Sequence, residues 1–181
     1  MTRKISVWLV IMLASIWIAG CHQTPSPSDA PPTSAGKASD GAKYLLAAEP
    51  ADAKGVIQVR EQAKEGDAVV IVGRVGGSRE PCVKGRAAFT IVDPSYLSCD
   101  ENGETCETPW DYCHATKEEM TRATAMIKFV DAQGKTLPND SKDFLGIEPL
   151  QTVVVQGRAK RDETGNLTVL AEGIFIRPRK R

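Results

Sequence analysis

Cys99, Cys106 and Cys113 stand at equal spacing in one polar stretch, and His114 follows the last of them. Cys82 lies a little upstream. Four side chains of this kind support three chemistries. The first is a pair of disulfides, with Cys106–Cys113 closing a small ring and Cys82–Cys99 tying an earlier hairpin to the loop. Four cysteines allow three pairings, and spacing alone does not choose among them. The second is a metal site. Cys99, Cys106, Cys113 and His114 form a tetrahedral set for zinc, or a soft set for copper. It lacks the close CxxC pairs of zinc ribbons, and adjacent Cys113 and His114 would both have to turn toward one point. The third is a redox-active thiol pair, which the absence of CxxC disfavours. An oxidising compartment favours disulfides, so no cofactor is expected, with Zn or Cu as the alternative.

These residues belong to Ser98–Thr116, SCDENGETCETPWDYCHAT, a stretch with few aliphatic side chains. A loop of this length is uncommon inside a compact domain and is often functional. With so little to bury, it is expected to need a covalent or metal clip. Asp100, Glu101, Glu104, Glu107 and Asp111 read as a solvated acidic face, and Asn102-Gly103 as a tight turn. Trp110 and Tyr112 either plug one end of the fold or form a platform for a ligand or partner. No nucleophile elbow, HExxH or P-loop pattern occurs, so a binding role is expected ahead of an enzymatic one.

The elements that must position the loop are β-rich. AVVIVGRV at 68–75, AAFTIV at 87–92, TAMIKFV at 124–130, TVVVQGRA at 152–159 and LTVLAEGIFI at 167–176 are runs of β-branched and aliphatic residues bounded by turn residues. A short strand at 57–59, a helical turn at 59–64 and another turn within 143–150 are expected around them. The loop therefore joins the second and third of five main strands. VVIVGRV and VVVQGRA echo each other, each with a glycine after four strand residues. A glycine inside a strand marks a bulge or bend. The fold class predicted is all-β, a small five-stranded barrel over residues 56–178. It resembles the oligonucleotide/oligosaccharide-binding (OB) fold. The resemblance implies that the first strand bends to pair on both sides and closes the barrel against the fourth. A two-sheet sandwich of the same strands is the alternative.

Ahead of the barrel lie two segments of different character. Arg3 and Lys4 precede an apolar run, Ile5–Ile18, broken only by Ser6 and Ser15, which has the charge pattern and length of a secretory signal peptide over residues 1–20. The run is short for a membrane span. Its ending, Ile18-Ala19-Gly20-Cys21, resembles the lipobox of bacterial lipoproteins. That resemblance implies cleavage before Cys21, diacylation of its sulfur and N-acylation. It also implies that His22, in place of Asp, directs the protein to the outer membrane facing the periplasm rather than the inner membrane. Residues 21–55 then form a tether rich in Pro, Ser, Ala and Gly, unable to bury enough surface to offset its ordering entropy.

Export places the remaining cysteines in an oxidising space, which favours disulfides. The chain carries 23 basic and 23 acidic residues, and removal of Arg3 and Lys4 leaves 21 against 23, or −2. That balance lacks the positive field of a nucleic-acid binder. The expected role is a lipid-anchored envelope module that binds or scaffolds an unknown envelope protein or glycan. The alternative is a metal-binding envelope protein, and a thiol-redox enzyme comes third. The basic tail, Arg177 to Arg181, reads as a frayed terminus or a weak membrane contact.

Overall fold

A computed structural model describes residues 40–179, so the signal-peptide and Cys21 readings lie outside the described residues. The elements are β1 (Lys54–Gly55), α1 (Val56–Gln62), β2 (Ala68–Val75), β3 (Ala88–Val92), α2 (Lys117–Ala123), β4 (Thr124–Phe129), α3 (Ser141–Leu145), β5 (Thr152–Arg161) and β6 (Leu167–Ile176). The strand order is β1-β2-β3-β4-β6-β5, and β2 also pairs with β5. The five long strands thus close a barrel, compatible with the OB-like architecture, and β1 adds one short parallel strand along β2.

Closure depends on β2 serving two neighbours. Ala68 to Arg74 pair antiparallel with Arg158 to Thr152 of β5, and Arg74 and Val75 pair with Val92 and Ile91 of β3. The barrel interior follows from strand alternation. Ile71 and Val75, Phe89 and Ile91, Ala125, Ile127 and Phe129, and Val153 and Val155 all bury against one another. Along β6 the inward residues are Leu167, Val169 and Ala171, then Ile174 and Ile176. The phase slips by one because a bulge lies opposite Gln156/Gly157, where Gln156 pairs with Gly173 and Gly157 with Ala171. Glu172, the extra residue, is exposed beside Arg158 at 3.3 Å.

The glycine echo has a steric basis. A Cβ on Gly157 would sit 2.2 Å from the Leu170 carbonyl oxygen, and one on Gly73 would sit 2.8 Å from Ile91 Cδ1. Both glycines allow neighbouring strands to approach in the tightly curved wall.

Contacts to the barrel are already made upstream of the expected boundary at Val56. A 3₁₀ turn, Asp40–Tyr44, places the Tyr44 ring 4.9 Å from Phe129 and 5.7 Å from Phe144. Leu45 bridges to Ile174. Tyr44 thus packs against the barrel core, while Leu45 pairs with the wall through its backbone and stays exposed, within the stretch 21–55 read as tether. The C-terminal segment is also held: Arg177 pairs with Glu49 at 2.6 Å and Arg179 with Glu148 at 3.3 Å.

Helix α1 covers one barrel end with Val56 and Val59. Its Ile57 N–H donates to Asp93 Oδ2 at 2.9 Å, so a carboxylate from the end of β3 satisfies a first-turn amide. A Cβ on Gly55 would meet the same oxygen at 2.5 Å, and Gly55 leaves the room for this contact. The Arg161 guanidinium donates to the Arg60 and Ala63 carbonyls at the other end of α1. Helix α2 was not expected from hydrophobic period. It starts with a capping box in which Thr116 Oγ1 accepts from the Glu119 N–H and the Glu119 carboxylate accepts from the Thr116 N–H.

Gly157→Ala is expected to destabilise the barrel by about 1–3 kcal/mol, because the conflict is with backbone. Gly73→Ala, whose Cβ would meet Ile91 at 2.8–2.9 Å and the Val92 carbonyl oxygen at 3.0 Å, is expected to cost less, because these contacts are longer than the 2.2 Å at Gly157. Denaturant unfolding of the two variants measures the order. At the β5–β6 turn, Asp162 accepts from Thr164 and Asn166, and these bonds hold its carboxyl down to about 2 from an ordinary 3.8. A lowered carboxyl stabilises the fold fully above its unfolded value, and this stabilisation disappears as pH falls through about 2. An NMR titration of the Asp162 carboxyl carbon with a midpoint near 4 would contradict this.

Candidate metal centre

The Ser98–Thr116 loop folds back on itself. The Cys99 N–H donates to the Asp111 carbonyl at 2.9 Å and the Asp100 N–H to the Pro109 carbonyl at 3.0 Å. These bonds bring the two arms side by side. Between them the chain turns through Gly103, whose φ of 73° suits the residue without a Cβ. The Glu104 N–H then returns to the Cys99 carbonyl at 2.9 Å. Sequence-distant donors therefore meet through backbone pairing, before any clip is required.

The loop is also fastened to the barrel. The Gly77 N–H donates to the Trp110 carbonyl at 3.1 Å, and Trp110 Nε1 donates to the Arg79 carbonyl at 3.1 Å. A Cβ on Gly76 would lie 2.6 Å from the Trp110 carbonyl oxygen, so the close approach requires glycine there. The Glu101 carboxylate accepts from Ser98 N and Oγ, both at 3.1 Å, and pairs with Arg74 of β2. Tyr112 is only 3% exposed and packs with Val92 and Ala123, beside Tyr96 and Met120. Of the two readings for Tyr112, the buried plug describes its position, and its ring is not open as a platform.

At the meeting point, one donor atom each from Cys99, Glu104, Cys113 and His114 lies within 4.8 Å of the others. Cys99 Sγ is 3.1 Å from Cys113 Sγ. Cys113 Sγ is 3.7 Å from His114 Nε2 and 3.8 Å from a Glu104 carboxylate oxygen. His114 Nε2 is 2.8 Å from that carboxylate. Adjacent Cys113 and His114 do turn toward one point. Cys106, part of the metal set expected from the sequence, lies outside this group.

The expected disulfides are not formed. All four of Cys82, Cys99, Cys106 and Cys113 are free thiols, and 3.1 Å exceeds the about 2.05 Å of an S–S bond. Cys82 also stands apart in role. It pairs across to Phe89, packs against the main core and has Asp140 as its charged neighbour, and burial followed by that charge pushes its thiol up.

The environment of the loop thiols sets a defined order of ionisation. Burial opposes charge on Cys99, yet hydrogen bonds from the Cys113 backbone and from the Cys113 and Cys106 thiols overcome it and lower that thiol. Cys113, which donates to Cys99, is pushed up to about 12, and Cys106 is raised for the same reason. Cys99 is thus the buried thiol whose ionisation its two neighbours favour. Two thiolates, an imidazole and a carboxylate match the donor set of a zinc-class cation. Tetrahedral coordination with Zn–S of about 2.3 Å separates two sulfurs by about 3.8 Å, so an ion would spread Cys99 and Cys113 only slightly.

Glu104 is the site residue the sequence reading missed. In the sequence it is one of five acids on an expected solvated face, and its signal is its place beside the turn glycine, Gly103, between two cysteines. Among the described residues no helix is long and apolar enough to cross a membrane. Neither the known protein-family models nor the curated proteins include a match to this chain.

The Tyr112 hydroxyl is buried without a hydrogen-bond partner, with Arg74 nearby. Removing such an oxygen forfeits no bond. Tyr112→Phe is therefore expected to leave stability unchanged or raise it by up to about 1 kcal/mol, whereas Tyr112→Ala is expected to cost about 3–5 kcal/mol. Thermal unfolding of both variants is the check.

Proposed function

We propose that this protein is a metal-binding envelope module that holds one zinc-class divalent cation in the Ser98–Thr116 loop. The observation that carries the reading is the convergence of Cys99, Glu104, Cys113 and His114 within 4.8 Å. Sulfur, nitrogen and carboxylate oxygen in that ratio suit a borderline cation, and the charge of two thiolates and a carboxylate compensates the ion. The burial gradient supports reversible loading. Cys99 is buried at the base, whereas Glu104, Cys113 and His114 are exposed. An ion can reach such a set without opening the barrel, which suits capture or buffering better than a purely structural plug.

This reading gives the expected binding module a ligand class. The amino-terminal pattern ending in Cys21 supports a lipid anchor at the cell envelope, with the binding domain held off the membrane by a tether. Barrel and loop then divide the work: the barrel supplies a rigid wall, and the loop supplies the donors.

Native mass spectrometry of the full chain with added Zn²⁺ is expected to show one bound ion. Co²⁺ in its place is expected to give thiolate-to-metal charge-transfer absorption. Cys99→Ser and Cys113→Ser should each weaken uptake more than about tenfold, since each removes a directly bound thiolate. Uptake that is absent in the native chain, or unchanged in the double variant, would overturn the proposal.

A further inference from the structure

On the outer face of β3, β4 and β6, Thr90, Met126 and Thr168 stand side by side, with Ala88, Lys128 and Leu170 in the next row. Strand alternation turns these rows away from the core that Phe89, Ile91, Ile127 and Val169 fill. Two clefts of about 460 and 520 Å³ open on this face and share Met126 and Lys128, so they form one groove. Its charge is one-sided. Arg60 and Lys117 line one cleft, Arg86 and Lys135 the other, and Lys128 both. Among the described residues none of these five cations is in an ion pair, whereas Arg74, Arg79, Arg122, Arg158, Arg177 and Arg179 each have a carboxylate partner. The Arg60 guanidinium donates to the carbonyl oxygens of Arg122, Thr124 and Gly165 and so keeps its charge uncompensated. Asp162, the acid in the lining, is already engaged by Thr164 and Asn166. Like charges gathered on one face repel one another, and an anionic partner relieves that repulsion.

We infer that this groove is the docking site for an acidic peptide segment of a partner protein, bound in extended form along β4. Charge complementarity selects the anion, and the floor of the groove selects the peptide. No Phe, Tyr or Trp lines either cleft, so nucleic-acid bases find no ring to stack on. Met120 and Met126 instead give a flexible apolar floor, extended by the Lys128 stem, of the kind that receives varied peptide side chains. The Thr124 and Thr168 hydroxyls beside that floor can bond peptide N–H and C=O groups. Strand β4 has six residues. At about 3.3 Å per residue, an extended peptide of about six residues matches its length. The groove shares no residue with the Cys99, Glu104, Cys113 and His114 cluster, so this inference stands apart from the metal reading.

The probe is a fluorescently labelled peptide of about a dozen residues, mostly Asp and Glu with central leucines. Its binding to the full chain is followed by fluorescence anisotropy, and the contact surface by NMR amide shifts. The shifts are expected on β3, β4, β6 and α2. Lys128→Glu combined with Lys135→Glu is expected to weaken binding more than about tenfold. Lys142→Glu, at an exposed lysine of α3 outside the groove, is expected to change it less than about threefold. Lys128→Gln combined with Lys135→Gln removes the two charges without reversing them and should show the same loss, which serves if the first pair fails to fold. Exchanging the peptide's leucines for glutamine should weaken binding about threefold or more, since the methionine floor then has nothing apolar to cover. Absence of binding overturns the proposal. So does an equal loss in Lys142→Glu, or indifference to the leucines, since either makes the attraction one of net charge alone. Tighter binding of oligothymidylate or polygalacturonate to the same face would also overturn it, by making the occupant a nucleic acid or an acidic glycan.

Discussion

Everything in this domain hangs on the double pairing of β2. Seven of its residues run antiparallel along β5, and its last two turn to β3. A strand can serve two neighbours in this way only if the wall is sharply curved. The curvature brings Gly73 against Ile91 and Gly157 against the Leu170 carbonyl, where a side chain would collide. The bulge opposite Gln156/Gly157 completes the accommodation by shifting β6 one residue, so that Ile174 and Ile176 still face inward. Closure, glycine placement and bulge are one geometric solution.

The same closure fixes where the metal loop can sit. The chain leaves β3 at Asp93, whose carboxylate simultaneously accepts from Ile57 of α1 and from Ser95 at the start of the connection. The exit is thus tied to the helix that covers the barrel end. Gly76 and Gly77, just past β2, receive the far arm of the loop through the Trp110 carbonyl. With both arms anchored on the barrel, backbone pairing between 99–100 and 109–111 brings Cys99 to Cys113. The polar loop does not need its own apolar core, because Tyr112 borrows one from Val92 and Ala123. Arg74 and Glu101 add a charged contact between wall and loop.

Placement of the donors also explains the division of acid–base character among chemically identical thiols. Cys99 lies at the base, where hydrogen bonds from two neighbours outweigh the cost of burial. Cys113 and Cys106 supply those bonds and hold their own protons more tightly. Cys82, half-buried beside Asp140 against the main core, shares none of this environment.

Much of the architecture could be read from residues alone. The limits of β2 and β6 follow from β-branched runs ended by Gly-Gly and by Asn and Pro, and the paired glycines pointed to a curved wall, because those signals are local and periodic. Helix α2 was equally local, in the Thr116–Glu119 capping box, but its weak apolar face hid it. The ordering of residues 40–55 was not legible, since Tyr44 reads as linker until Phe129 and Phe144 are brought around it. Cysteine content and compartment pointed to disulfides, whereas only the folded loop decided that the sulfurs meet as free thiols at 3.1 Å. The recruitment of Glu104 was likewise a tertiary outcome. Residue type restricts which chemistry is available, but which donors share a centre depends on backbone pairing between distant positions, and no spacing along the chain encodes that distance.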